Sequence, residues 1–266
     1  MIIKRATSTD TPRIIELIQF ENGGDYPQKE FYEPEYVQNG IISGSLVFFA
    51  AFDDTNVLGQ SKGLLVGIAC AKYETPDIVY TCHLIVLPDC RGHHLGWQLC
   101  TTLYDYISEQ NIPLVYSLPI AKHIIGQKYI LSATSAKPVG ALLNRFNGRN
   151  NIVLSNHSAP VTQLTDTTPK YTVYPEYDYA EFFGDYSSFQ KISETTALPK
   201  SVNLFLDNKT NVGNGFFYTG NYPRNNGYYS IYHRSDIPRE FIASLKVAPE
   251  CEPILNQVLL NYADHN

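Results

Sequence analysis

The sequence predicts a mixed α/β fold around a central sheet, and three observations carry that prediction. Apolar runs of strand length recur from Ser45 onward, stretches with helical apolar spacing alternate with them, and Gly, Pro, Asn and Asp punctuate the junctions. The 266 residues are 44% hydrophobic and only 17% charged, enough apolar material for a packed core.

Residues 2 to 6 read as a short strand. Thr7 to Asp10 offer N-cap side chains before Pro12, and Ile14, Ile15, Leu17 and Ile18 follow at helical spacing. A second helix is expected from Glu30 to Ser43. Ser45 to Phe52 is an apolar run and reads as a buried strand, and Asp53 to Gly63 as a polar hairpin connection. Leu64 to Tyr73 and Ile78 to Leu87 are further strands, joined by the turn chemistry of Glu74-Thr75-Pro76-Asp77. A helix from His93 to Gln110, a strand at Leu114 to Leu118, a short helix near Gly126 to Ser132 and a strand at Val139 to Phe146 complete this half. Asn147 to Lys170 turns polar and is the expected boundary, giving domains of 1–150 and 151–266. Beyond it, strands are expected at Ser201 to Asp207, Gly213 to Thr219 and Tyr228 to Tyr232. Helices are expected at Glu176 to Phe189 and from Pro238 to Tyr262, the latter interrupted at Pro249 and Pro253. The second part is thus a smaller α+β lobe.

The net charge of −6, with no cluster of Lys and Arg, argues against nucleic acid as a partner. Five scattered cysteines without a CxxC pair suggest reduced thiols and no structural metal. The first residues lack the apolar run of a signal peptide, and no stretch reaches the ~20 apolar residues that span a bilayer. A cytoplasmic protein without a membrane partner is the expectation.

The stretch from Leu84 to Trp97 carries the chemistry. A strand ends at Pro88, a tight loop follows, and a helix begins at once. Such a junction presents backbone N–H groups backed by the helix dipole, a natural seat for a pyrophosphate. Gly92 and Gly96 remove side chains where a phosphate must approach, and Arg91 adds a cation. The plain alternative is an ordinary strand-to-helix turn.

Val86, Pro88, Arg91, Gly92 and Gly96 fall on the V-x-P-x-x-R-G-x-G-x-G/A signature, and here the sequence resembles the GNAT acetyltransferase superfamily. His94 departs from it, standing where the family usually has the first glycine of the core. His123, Gln127 and Lys128, then Pro138 and Gly140, then Pro175-Glu176-Tyr177 and Gly215 to Pro223, resemble segments of a long subgroup with an extra C-terminal lobe. The resemblance implies a GNAT-type acyl-CoA-binding domain followed by an extra lobe, which either binds a peptide acceptor or extends the groove for a fatty chain. It implies an N-acyltransferase moving an acyl group, most directly acetyl, from acyl-coenzyme A to an amine in a ternary complex. Acetyl-CoA or a longer acyl-CoA is the co-substrate, no metal is expected, and the acceptor is a small molecule or a peptide lysine. A homodimer is left open. Transfer of a fatty chain, and a non-catalytic acyl-CoA sensor, are the competing readings.

By the same resemblance, Leu84, Ile85, Val86, Arg91, Gly92, His93, His94, Leu95, Gly96 and Trp97 are the cofactor-binding candidates, with the thioester carbonyl held near Ile85 and Val86. His93 and His94 either contact phosphate or cap the turn, and Trp97 is also expected to pack in the core. His83 is the candidate base, since its intrinsic pKa suits proton removal near neutrality; a half-buried structural histidine is the alternative. His123 is a second choice. Tyr129 is the candidate acid for the leaving thiolate, or a packed tyrosine. Cys82 and Cys90 lack an orienting partner and are discounted as nucleophiles.

Overall fold

A computed structural model describes residues 1–53, 63–146, 148–157, 169–213, 215–224 and 227–264. The expected hairpin connection after Asp53 therefore lies largely outside the described residues. The chain divides into two compact units, Met1–Val115 with Ser132–Thr134, and Tyr116–Leu131 with Ser135–Asn266.

The first unit runs β1 (Ile2–Arg5), α1 (Thr11–Asn22), α2 (Pro34–Ser43), β2 (Leu46–Asp53), β3 (Leu64–Thr75), β4 (Ile78–Val86), α3 (Leu95–Glu109) and the start of β5 (Leu114–Ser117). Strands β1 to β4 form an antiparallel meander in chain order. The two faces follow from strand alternation. Phe48, Ala50, Ile68 and Cys70 pack with Ile14, Ile18, Phe31 and Val37 of the α1–α2 side. On the other face Phe49 meets Tyr106 of α3 at 5.7 Å, and the Thr81 and Tyr104 hydroxyls share a hydrogen bond of 2.8 Å. Gly67 lies so close under α3 that a Cβ there would sit 2.9 Å from Leu99. Helices α1 and α2 both end on a glycine in the left-handed region, Gly23 and Gly44. The expected second helix from Glu30 is a 3₁₀ turn at Lys29–Tyr32 and then α2, because Pro34 has no N–H and so begins a helix rather than continuing one.

The second unit holds the end of β5, most of α4 (Ile125–Ala133), β6 (Lys137–Arg145), β7 (Arg149–His157), β8 (Lys170–Tyr174), β9 (Tyr179–Gly184), α5 (Tyr186–Thr195), β10 (Ser201–Leu206), β11 (Phe217–Arg224), β12 (Gly227–Arg234), α6 (Arg239–Ala243) and α7 (Glu252–Ala263). Its strand order is β7-β6-β11-β12-β10-β9-β8. Every pair is antiparallel except β9 with β10, which run parallel and are linked by the α5 crossover. Strands β6 and β11 meet at Gly140 and Gly220, where a Cβ on Gly140 would stand 2.5 Å from the Asn221 carbonyl oxygen. Half-buried Arg145 donates to one oxygen of buried Glu181 through Nε (2.8 Å) and Nη2 (2.7 Å), and the Tyr179 hydroxyl donates to the same oxygen.

Three expectations change here. The units divide at Val115/Tyr116 rather than near residue 150, because β6 and β7 pair with each other inside the second unit. The polar stretch after Asn147 contains β7, whose Asn150 and Asn151 side chains are buried and hydrogen-bonded. The helix expected at Glu176 to Phe189 is a 3₁₀ turn, then β9, then α5, which Asp185 caps by accepting from the Ser188 amide at 3.0 Å. Among the described residues no helix is long and apolar enough to cross a membrane.

Candidate active site

Strand β4 is not regular. Ile68 of β3 faces Ile85, while Cys70 faces Cys82, so β4 carries an extra residue between them. The backbone at this bulge is turned into the left-handed region at His83, with φ of 49°. A bulge of this kind re-aims a side chain and interrupts pairing, and such positions recur beside functional sites.

The His83 ring is 8% exposed and lies between two aromatic rings, Tyr26 at 4.4 Å and Phe31 at 4.3 Å between centroids. Its Nε2 has no hydrogen-bond partner among the described residues. Burial, and secondarily the charge of Lys72, lower its pKa to about 3, so the imidazole is neutral near pH 7. A neutral imidazole with a free ring nitrogen accepts a hydrogen bond well, but at that pKa it is a poor store for a proton. Lys72 itself is paired with Glu30 at 3.3 Å, and its ammonium stands over Phe31 and Tyr36 at 5.7 and 5.8 Å. Tyr26, Glu30, Phe31 and Tyr36 all come from the α1–α2 segment. They escaped the sequence reading because nothing local marks a loop aromatic as the wall of a distant strand.

Past the bulge, Leu84 and Val86 are half-buried and Ile85 is buried. A 3₁₀ turn at Pro88–Cys90 follows, closed by the Cys90 and Arg91 amides, which donate to Leu87 and Pro88. Gly92 then takes φ of 84° and His94 φ of 58°, and α3 begins at Leu95. Nothing lies within 4 Å of where a Gly92 Cβ would be, so backbone conformation alone calls for glycine there. Gly92, His93, His94 and Trp97 are exposed and Gly96 is half-buried, so this loop and first helical turn face solvent. The leading amides of α3 have no helical carbonyl to reach, as at any helix start.

Two cofactor candidates are placed differently from expectation. Trp97 is 43% exposed rather than packed in the core, because α3 turns Leu95, Leu99, Leu103 and Ile107 inward instead. The Arg91 guanidinium is engaged by the protein: Nε donates to the Val86 carbonyl at 2.9 Å, and Nη2 pairs with Glu21 at 2.7 Å. Tyr129 is half-buried on α4 in the second unit. His123 is exposed in the same unit and lines an open groove of about 630 Å³ with Ile125, Lys246 and Leu255. Gln127 is fully buried there: its Nε2 donates to the carbonyls of His123 and Lys246, and its Oε1 accepts from the Ala248 amide. That segment of the motif therefore staples α4 to the 246–248 strand of chain.

The model of the Acetyltransferase (GNAT) family matches residues 11–123, which contain the bulged strand, the loop and α3. No curated protein matches the sequence. Among solved structures, the chain is similar to NAA60 of Arabidopsis thaliana in complex with acetyl-CoA, at 20% identity and a TM-score of 0.47, over 59% of this chain and 97% of that one. It is also similar to the ribosomal-protein-S5-alanine acetyltransferase of Vibrio fischeri, at 12% identity and a TM-score of 0.46, covering 59% and 92%. A third is the aminoglycoside 6'-N-acetyltransferase of Enterococcus faecium, at 15% identity and 0.44, covering 61% and 100%. The signature lies on a bulged strand and a glycine-bearing loop at a helix start, and residues 11–123, which hold them, match the GNAT acetyltransferase family.

Proposed function

We propose that this acetyltransferase moves an acetyl group from acetyl-coenzyme A to a cationic amine by direct attack in a ternary complex. The observation that carries the reading is the exposed loop from Arg91 to Gly96, which runs from a bulged strand into the N-terminus of a 15-residue helix. The backbone amides of Gly92 to Gly96 receive the pyrophosphate, aided by the helix dipole. His93, His94 and Trp97 flank it, and Leu84, Ile85 and Val86 guide the pantetheine arm, with a backbone amide of the bulge polarising the thioester carbonyl. Arg91 contributes by holding the loop to Val86 and Glu21.

His83 accepts a hydrogen bond from the amine through Nε2 and orients its lone pair, while the proton passes on to solvent. This role fits a ring held neutral better than that of a group that keeps the proton. Tyr129 is retained as the acid for the thiolate on the resemblance alone. Glu30 and the ring faces of Phe31 and Tyr36 already hold one ammonium, that of Lys72, which favours a cationic acceptor such as a peptide lysine. The net charge of −6 acts in the same direction. A cytoplasmic setting suits the five free thiols.

Trp97 is the single tryptophan and stands in the first exposed turn of α3, so its fluorescence reports cofactor binding directly. Titration with acetyl-CoA is expected to change that fluorescence saturably, and Gly92→Glu to abolish the change. Thiol release is expected to need a cationic amine. Saturable binding with no thiol release from any amine would replace the reading with a sensor, and no binding would remove it.

A further inference from the structure

Two cysteines face each other across β3 and β4. Cys70 is the register partner of Cys82, and both belong to the face packed against α1 and α2. Directly opposed residues of an antiparallel pair have Cα atoms about 4.5–5.5 Å apart. That separation falls inside the range of about 4.4–6.8 Å over which a disulfide closes. The two cysteines differ in access: Cys82 is half-buried, whereas Cys70 has no exposure. Burial raises the Cys70 thiol well above its ordinary range, so Cys82 is the sulfur that meets an external reagent first. The other cysteines, Cys90, Cys100 and Cys251, are buried and none is the register partner of another cysteine.

We propose that Cys70 and Cys82 form a reversible dithiol–disulfide site that reacts with low-molecular-weight disulfides such as oxidised glutathione. The Cys82 thiolate attacks one sulfur of the reagent, forming a mixed disulfide and expelling a first glutathione thiolate, which takes up the proton that Cys82 gave. Cys70 then loses its proton and attacks the Cys82 sulfur. The cross-strand bond forms and the second glutathione leaves as its thiol. Two protein thiols are oxidised, one small disulfide is reduced to two thiols, and no other reactant is needed. The bond ties β3 to β4 immediately before the bulge at His83, where the pairing is otherwise interrupted. The inference goes beyond acyl transfer and is tested without turnover.

The test uses the full chain, fully reduced, freed of reductant and incubated with oxidised glutathione. Remaining thiols are then alkylated in denaturant, and the intact mass and peptides are measured. The wild type is expected to lose two of its five alkylatable cysteines, to retain no glutathione, and to give a peptide linking Cys70 to Cys82. Cys70→Ser and Cys70→Ala are expected to stop at the first step and to carry one glutathione on Cys82. Cys82→Ser is expected to keep its four thiols. Five alkylated cysteines in the wild type, a glutathione adduct that persists there, or a linked pair elsewhere would each overturn the proposal.

Discussion

His83 in the first unit and His233 in the second are both buried, at 8% and 0% exposure, and burial lowers each imidazole to about 3. The Nδ1 of His233 lies 2.9 Å from the Asn203 side-chain oxygen and its Nε2 lies 2.6 Å from the Ser235 hydroxyl, so the ring works as a neutral relay between them. In the unfolded chain a histidine titrates near ~6.5. Between about 3 and ~6.5 the unfolded state therefore binds a proton that the folded state refuses, and stability rises with pH across that window. The contribution is complete above the unfolded value and drains away as the pH falls toward the folded one. Lowering the pH from 7 to 5 is worth ~2 kcal/mol per histidine by this linkage. Substituting each histidine by a residue that does not titrate isolates its share, because the carboxylates are common to both proteins. His83→Phe suits the stack between Tyr26 and Phe31, and His233→Gln keeps a polar group toward Asn203. Urea unfolding at the two pH values, followed by Trp97 fluorescence for the first unit and amide hydrogen exchange of β10 and β12 for the second, is the assay. Each variant is expected to shed ~2 kcal/mol of the acid-induced loss in its own unit. A loss between pH 7 and 5 equal to that of the wild type would refute the claim that these rings are held neutral.

Other expectations follow from particular contacts. Glu181→Gln strands the Arg145 charge, whose side chain is only 15% exposed, and is expected to cost ~3–5 kcal/mol in urea unfolding, with most of it recovered in the double variant Glu181→Gln/Arg145→Met. Gly140→Ala drives a methyl group into the Asn221 backbone, which cannot yield as a side chain would; a loss of ~3 kcal/mol or more, or failure of the second unit to fold, is expected by circular dichroism. His94 holds a left-handed conformation that costs a non-glycine residue ~1 kcal/mol, so His94→Gly is expected to leave stability unchanged or slightly raised and to tighten acetyl-CoA binding, read by Trp97 fluorescence. Weaker binding in that variant would mean that the imidazole itself holds phosphate.

The first unit was legible because its strands are apolar runs and its breaks are marked by proline and glycine. The loop at 88 to 96 announced itself for the same reason. The second unit was harder, and each miss has a physical cause. In β7 the ends read as loop because asparagines are poor strand formers, yet Asn150 and Asn151 serve here as hydrogen-bonding staples, the first to the Asn144 amide and the second to the Leu118 carbonyl. Segment 176 to 189 has apolar residues at helical spacing as well as in alternation, and only the distant Arg145 explains an acidic residue inside a strand. His83 was visible as a residue but not as an environment. Its neutrality comes from Tyr26 and Phe31, some 50 positions earlier, and no spacing rule links them to β4.

Helix α7 (Glu252–Ala263) supplies pieces that the sheet of the second unit lacks until those residues have been made. Tyr262 packs its ring edge-on to Phe217 at 5.2 Å and donates to the Ile237 carbonyl, while Asn261 donates to the Tyr218 carbonyl of β11. The first unit, by contrast, has almost all of its residues once Val115 has left the ribosome, and the rest arrive with Ser132–Thr134. Emergence from the ribosome thus separates the two in time: the early unit can close around its own core while β11 still waits for its cover. A nascent chain that has reached only residue 250 holds all the residues of its first unit but not the Tyr262 ring that packs on Phe217.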